Sequence, residues 1–366
     1  MENRKNNYDL LRVIAMIAVI TLHISGVYAT AATSSYWLGV PYTKNILITS
    51  IYRCLSSFAV PVFIMLSGAF ALDNPKNRNY RYYYRKEFTN IGVTTLVISF
   101  LYLMYGLFRD FVTGLISNRS TSDIILRGAN RVKEFIIGSP FYHLWYLYMM
   151  IGVFILVPVV IRIKEDVGEV TYKKCAVIFF VIATLGLHMS THELMWDPGF
   201  SFGFLGYFMM GYVIRKNAKK DNLKASMLII AGVLVLVSTA YFISSKGIDG
   251  VGNKDLLDSL TGASTLPVAI SSILIFDGFS RLNVKKEIMR ISKQSFLVYL
   301  FHAGVWDVLS IFITKDMDSR IVIPLAVIIV FALSWIISII WQWIWRKLED
   351  RWCLSIKLCK FLRLEG

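Results

Sequence analysis

The sequence predicts an all-α protein that crosses a membrane about ten times, with both termini in the cytoplasm. Three observations predict it. Hydrophobic residues fill 56% of the 366 positions and charged residues only 17%, too little charge for a soluble domain of this length. The apolar residues gather in blocks of about twenty, the length that crosses a hydrocarbon core of about 30 Å. Lys and Arg fall in short clusters between the blocks, and alternate clusters are rich and poor in them, as the positive-inside rule requires. That distribution also argues against nucleic acid as the reason for the net charge of +15.

In chain order the spans are expected at about 9–30, 45–72, 88–112, 141–162, 173–191, 199–215, 224–244, 264–282, 294–314 and 320–345. The first carries no small-residue cleavage site, so it reads as a spanning helix and not as a removable signal peptide. With the N-terminus inside, the cytoplasmic segments take Arg4 and Lys5, the cluster from Lys76 to Lys86, and those around Lys164, Lys216 and Lys286, together with the tail after Trp345. The outer segments are poor in positive charge except for 114–140. There Ile124, Ile125, Ala129, Val132, Phe135 and Ile136 recur at helical spacing, with Arg127, Arg131, Lys133 and Glu134 opposite. This predicts a short amphipathic helix on the outer membrane surface, or a lid over a site. Cys54, Cys175, Cys353 and Cys359 form no CxxC pair and read as free thiols. With no soluble segment and no repeat, residues 1–366 are expected to form one membrane domain standing alone.

Ionisable groups inside spans cost about 2.5–3.5 kcal/mol each at the centre, so they mark candidate function. Arg12 and His23 lie eleven positions apart, about three turns, on one face of the first span. Alone, Arg12 can snorkel to lipid phosphates or pair with Asp9, and His23 can be a bonded core histidine. In the ninth span Ser295, Tyr299 and His302 share a face. In the second, Pro61 is expected to break a backbone hydrogen bond, Ser67–Gly68 to permit close helix approach, and Arg53 to face a cavity. His143 and Trp145 open the fourth span, and His188, His192 and Glu193 close the fifth. The His188–His192 pair lacks HExxH order, so a water-filled polar pocket is favoured over zinc, with an interfacial aromatic belt as the plain alternative. No stretch reads as a GxSxG nucleophile elbow between a strand and a helix, and Walker A and GxGxxG runs are missing from the sequence.

Five stretches in order resemble the membrane acyltransferase 3 family over nearly the whole chain. They are Arg12 with ten intervening residues before His23, VPVFIMLSG (60–68), HLWYLYMMIG (143–152), GFSFGFLGYFMMGY (199–212) and SFLVYLFH (295–302). Many members place an Arg about one turn before the Val–Pro; this chain has Ser57 there and Arg53 a turn further out. The resemblance implies transfer of an acyl group, usually acetyl, from cytoplasmic acyl-CoA to a hydroxyl of a glycan or lipid-linked sugar, in a bacterial plasma membrane.

On that resemblance, His23 is the expected general base, with Tyr299 and His302 lining its cavity. Arg12, Arg81, Arg85 and Lys86 are expected to hold the phosphates of acetyl-CoA. Arg53, His143, Trp145 and Glu193 are expected to contact the acceptor, and no metal is expected. A transporter for a polar solute, or a non-catalytic assembly or sensor protein, are the alternatives that would also keep such groups in a bundle interior.

Overall fold

The computed structural model of the chain describes residues 6–30, 36–37, 40–185, 201–248, 253–285, 288–313 and 318–352. Apart from a two-residue antiparallel pairing of Tyr36–Trp37 with Val40–Pro41, its elements are helices. Eight stretches among the described residues are helical, long and apolar enough to cross a membrane. The protein is an all-α polytopic membrane protein.

Helix α1 (Asn6–Thr30) runs through the middle of the bundle. It touches α2 (Tyr42–Ser56), α3 (Ala59–Ala71), α11 (Leu266–Arg281), α12 (Met289–Leu309) and α13 (Ser319–Trp352). Its Leu11, Ala15, Met16, Ile20 and Ile24 are all fully buried, so the two polar residues of its face are carried by a helix with little freedom to move.

The second expected span is built from two helices. Between α2 and α3 the Ser57 amide and hydroxyl both donate to the Cys54 carbonyl, at 3.1 and 2.7 Å, tightening the turn. Pro61 therefore falls in the first turn of α3, where its missing N–H had no helical partner to lose. The expected broken bond does not arise.

After α3 a capped turn leads to α4 (Tyr80–Glu87), a π-helical turn (Phe88–Gly92) and α5 (Val93–Ile116). The segment 114–140 contains α6 (Thr121–Ile137), started by the Ser120 hydroxyl and stopped by Gly138 at φ 86°. Arg131 turns inward to Asp110 of α5 at 2.9 Å, while Ile125 and Ile136 stay 67% and 65% exposed. A carboxylate across the helix pair outweighs the apolar stripe, which is left outward where lipid can cover it.

Helix α7 (Trp145–Thr184) reverses at Gly168, whose φ of 73° suits glycine. Its arms, 145–167 and 169–184, carry the spans expected at 141–162 and 173–191. Helix α8 (Leu205–Asn217), 13 residues long, falls in the region expected at 199–215. Helices α9 (Asn222–Ile248) and α10 (Asn253–Thr261) precede α11.

Helices α3 and α8 cross in backbone contact. A Cβ on Gly68 would lie 1.8 Å from the Phe208 carbonyl oxygen, and one on Gly211 2.0 Å from that of Met65. Small residues facing each other allow this approach, as the Ser67–Gly68 pair suggested.

Candidate active site

At one end of α1, Arg12 is held in a three-residue knot with α12. Its Nη1 donates to Asp9 Oδ1 at 2.9 Å and to Ser292 Oγ at 3.1 Å, and Ser292 Oγ donates to Asp9 Oδ1 at 2.6 Å. Arg12 lines a cavity of about 180 Å³ together with Phe63, Ser67, Tyr146, Ser295 and Tyr299. The pairing with Asp9 and the cavity thus coexist: the carboxylate aims the guanidinium and leaves it 28% exposed.

Tyr299 leads from that cavity to three histidines from three parts of the chain. The His302 ring centroid lies 5.3 Å from that of His23, on α1, and 5.2 Å from that of His143, just before α7. The Tyr299 hydroxyl donates to the His143 carbonyl, which fixes the loop entering α7 against α12. His302 Nδ1 lies 2.6 Å from the Tyr299 carbonyl oxygen. A carbonyl only accepts, so Nδ1 carries the proton and Nε2 keeps its lone pair.

That Nε2 has no hydrogen-bond partner among the described residues, and neither ring nitrogen of His143 has one. Both side chains are buried, whereas His23 is half-buried with Tyr142 packed on it, ring centroids 4.9 Å apart. Leaving a buried polar atom unmatched costs about 1–3 kcal/mol, so the cluster retains hydrogen-bonding capacity that the fold itself does not consume. Beyond His23, Arg53 approaches α1 from α2. Its Nε donates to Thr261 at 3.1 Å, and its Nη1 would lie 3.6 Å from a Cβ on Gly26, one turn past His23. Along α1 the order is therefore arginine, histidine cluster, arginine.

The other expected residues are placed differently. Arg81 and Arg85 are exposed on α4 and do not line the cavity; Lys86 pairs with Glu87 at 3.1 Å. What that region supplies is Ile91, brought to the cavity wall by the π-helical turn. Trp145 packs toward Phe204, ring centroids 6.1 Å apart. Glu193, His188 and His192 lie outside the described residues. Among the described residues there is no group of three or more His, Cys, Asp or Glu able to hold a metal ion, and Cys54 and Cys175 are free thiols. Tyr142, Tyr146 and Ser292 were not singled out from the sequence. The run FYHLWYLY contains two of them, but an aromatic belt accounts for it equally well.

An imidazole cluster in a membrane bundle, packed against a tyrosine that shares a cavity wall with a guanidinium, is equipped for group transfer and not for packing alone. The chain belongs to the acyltransferase 3 family, whose acyltransferase domain matches residues 5–339, and is thus a membrane acyltransferase. A protein of Enterococcus faecalis named an amino-acid racemase is 29% identical over 167 residues, 44% of this chain. The match spans 20% of that protein's length. No solved structure matches the chain significantly.

Proposed function

We propose that the protein transfers an acyl group, acetyl in the simplest case, from acyl-CoA on the cytoplasmic side to a hydroxyl of a carbohydrate or lipid-linked glycan. The observation that carries this is the cavity whose wall holds both Arg12 and Tyr299, with the His302 ring beside Tyr299 and the His23 ring beside His302. The rise from Arg12 to His23 is about 16 Å, suited to a flexible arm that is anchored by phosphate at one end and reactive at the other. Arg12 sits on the positive-rich side of the membrane and Arg53 toward the acceptor side.

His23 is the general base. It removes the hydroxyl proton as the acceptor oxygen bonds to the thioester carbon, and the tetrahedral intermediate collapses by breaking the carbon–sulfur bond. The leaving thiolate takes the proton from the imidazolium, so the products are an ester and the free thiol. His302, its Nδ1 committed to the Tyr299 carbonyl, presents a fixed lone pair beside His23. Tyr299 holds the His143 backbone and so shapes the pocket. His143 and Arg53 face the acceptor, and Arg53 can also balance the oxyanion.

The test is transfer of labelled acetyl from acetyl-CoA by purified protein in vesicles, followed by mass analysis of the surface glycan. Wild-type transfer that survives intact in folded His23→Ala protein sinks the proposal. The likeness to a racemase favours one second reading, in which the bundle passes a polar solute such as an amino acid. It predicts uptake into vesicles that does not depend on acyl-CoA.

A further inference from the structure

A second cavity, polar and of about 300 Å³, opens where α3 and α8 end beside the Gly168 reversal of α7. Its wall includes Arg78, Lys164 and Lys216 with Tyr172, Tyr212 and Asn74. Local contacts hold the cations in place. Lys164 Nζ donates to the Leu72 carbonyl at the end of α3, Lys216 pairs with Glu169 at 3.3 Å, and Arg78 pairs with Glu165 at 2.7 Å. Lys164 also stands 4.6 Å from the centre of the Tyr212 ring.

Tyr172 points to a ligand independently of these charges. Only 1% of it is exposed and it lines the cavity, yet its hydroxyl has no hydrogen-bond partner among the described residues. It meets Tyr212 edge to face, ring centroids 5.8 Å apart, so the pocket combines aromatic surface, an unmatched hydroxyl and three cations.

A series of side-chain contacts links the wall of this cavity to Arg12. Asp73 on its wall pairs with Arg215 at 3.2 Å, and the Arg215 guanidinium lies 4.4 Å from the centre of the Phe70 ring. The Arg12 guanidinium lies 6.0 Å from that same ring. A track of cationic and aromatic groups thus runs from Lys164 to Arg12 and on to Tyr299.

We propose that this cavity seats the 3′-phosphorylated adenosine end of the acyl-CoA donor, an inference that rests on the acyl-CoA reading above. The lysines and Arg78 meet the phosphates, the tyrosines cover the base, and Glu169 and Asp73 accept hydrogen bonds from ribose or the exocyclic amine. Arg81 and Arg85 then have no part in anchoring the donor. A phosphate could also come from an anionic lipid headgroup, and the experiment separates the two.

Full-length protein is placed in phosphatidylcholine nanodiscs and titrated calorimetrically with adenosine 3′,5′-bisphosphate. Wild type binds it. Tyr172→Phe, which removes a hydroxyl the fold does not use, weakens binding about three- to tenfold, and Lys216→Gln weakens it about tenfold. Arg81→Gln leaves it unchanged. In acetyl transfer the first two variants raise KM for acetyl-CoA by the same factors at constant kcat. Unchanged affinity in both variants overturns the inference even when wild type transfers acetyl. Loss of phosphatidylglycerol retention in the variants, with nucleotide affinity intact, overturns it in favour of a lipid headgroup. If wild type neither binds the nucleotide nor uses acetyl-CoA, the donor reading falls with it.

Discussion

Helices α5 and α12 share two polar clusters built on opposite rules. In the first, Asp307 takes Arg109 through both carboxylate oxygens at 2.7 and 2.8 Å and the Tyr105 hydroxyl at 2.6 Å. Nearby, Asp110 takes Arg131, which also reaches Glu134 at 3.0 Å. In the second cluster, His302 lies on the same α12 but its Nε2 is unmatched, as are both nitrogens of His143. Tyr102 stands between the two clusters, its ring 5.1 Å from that of His143 and its hydroxyl bonded to the Leu300 carbonyl and the Gly304 amide. A saturated network closes helices on one another and has nothing left to offer a ligand. An unsaturated one keeps hydrogen-bonding capacity that water or a reacting partner can take up.

Exchanging the roles of the two clusters is the way to break this contrast. His23→Ala has the largest expected effect, lowering kcat by about 10²–10⁴-fold while thermal unfolding of the solubilised protein changes by only about 1 kcal/mol. A variant that lost stability and kept its turnover would put His23 among the structural groups. Next comes Asp110→Asn, which leaves the half-buried Arg131 poorly matched and costs about 1–3 kcal/mol, with kcat unchanged at a temperature where the protein stays folded. Were its turnover to collapse, the α5–α6 network would have to be counted as part of the site. Tyr299→Phe is expected to cost about 1 kcal/mol of stability for the lost bond to the His143 carbonyl. Its kcat should fall about tenfold or less, because it positions His143 without touching the reacting atoms.

How far each part was legible follows from how local its physics is. The register of Arg12 with His23, and of Tyr299 with His302, is set within one helix, so periodicity alone exposes it. His143 was visible only as a histidine at a span entrance, because the Tyr299 hydroxyl that draws its loop inward is 156 residues away. The lysines near 164 and 216 read as positive-inside charge, and nothing local says that a Gly168 reversal and the end of α3 fold them around one cavity. For Arg81 and Arg85, expected to hold donor phosphates and exposed on α4, the converse holds: clustered charge next to a span describes a membrane surface as well as it describes a ligand site. The inward turn of Arg131 escaped because a cross-helix carboxylate outweighs amphipathic spacing.

The proton fixed on His302 Nδ1 by the Tyr299 carbonyl has an electrical consequence. In the proposed reaction each proton taken from the acceptor leaves again on the thiol. An acyl group and a hydrogen atom exchange places, so no net charge crosses the bilayer in a full turnover. The equilibrium should therefore be indifferent to voltage, whatever side each substrate approaches from. Vesicles held at an imposed potassium diffusion potential and vesicles at zero potential should reach the same ratio of ester to acyl-CoA; a shift between them would mean that a charge travels with the acyl group.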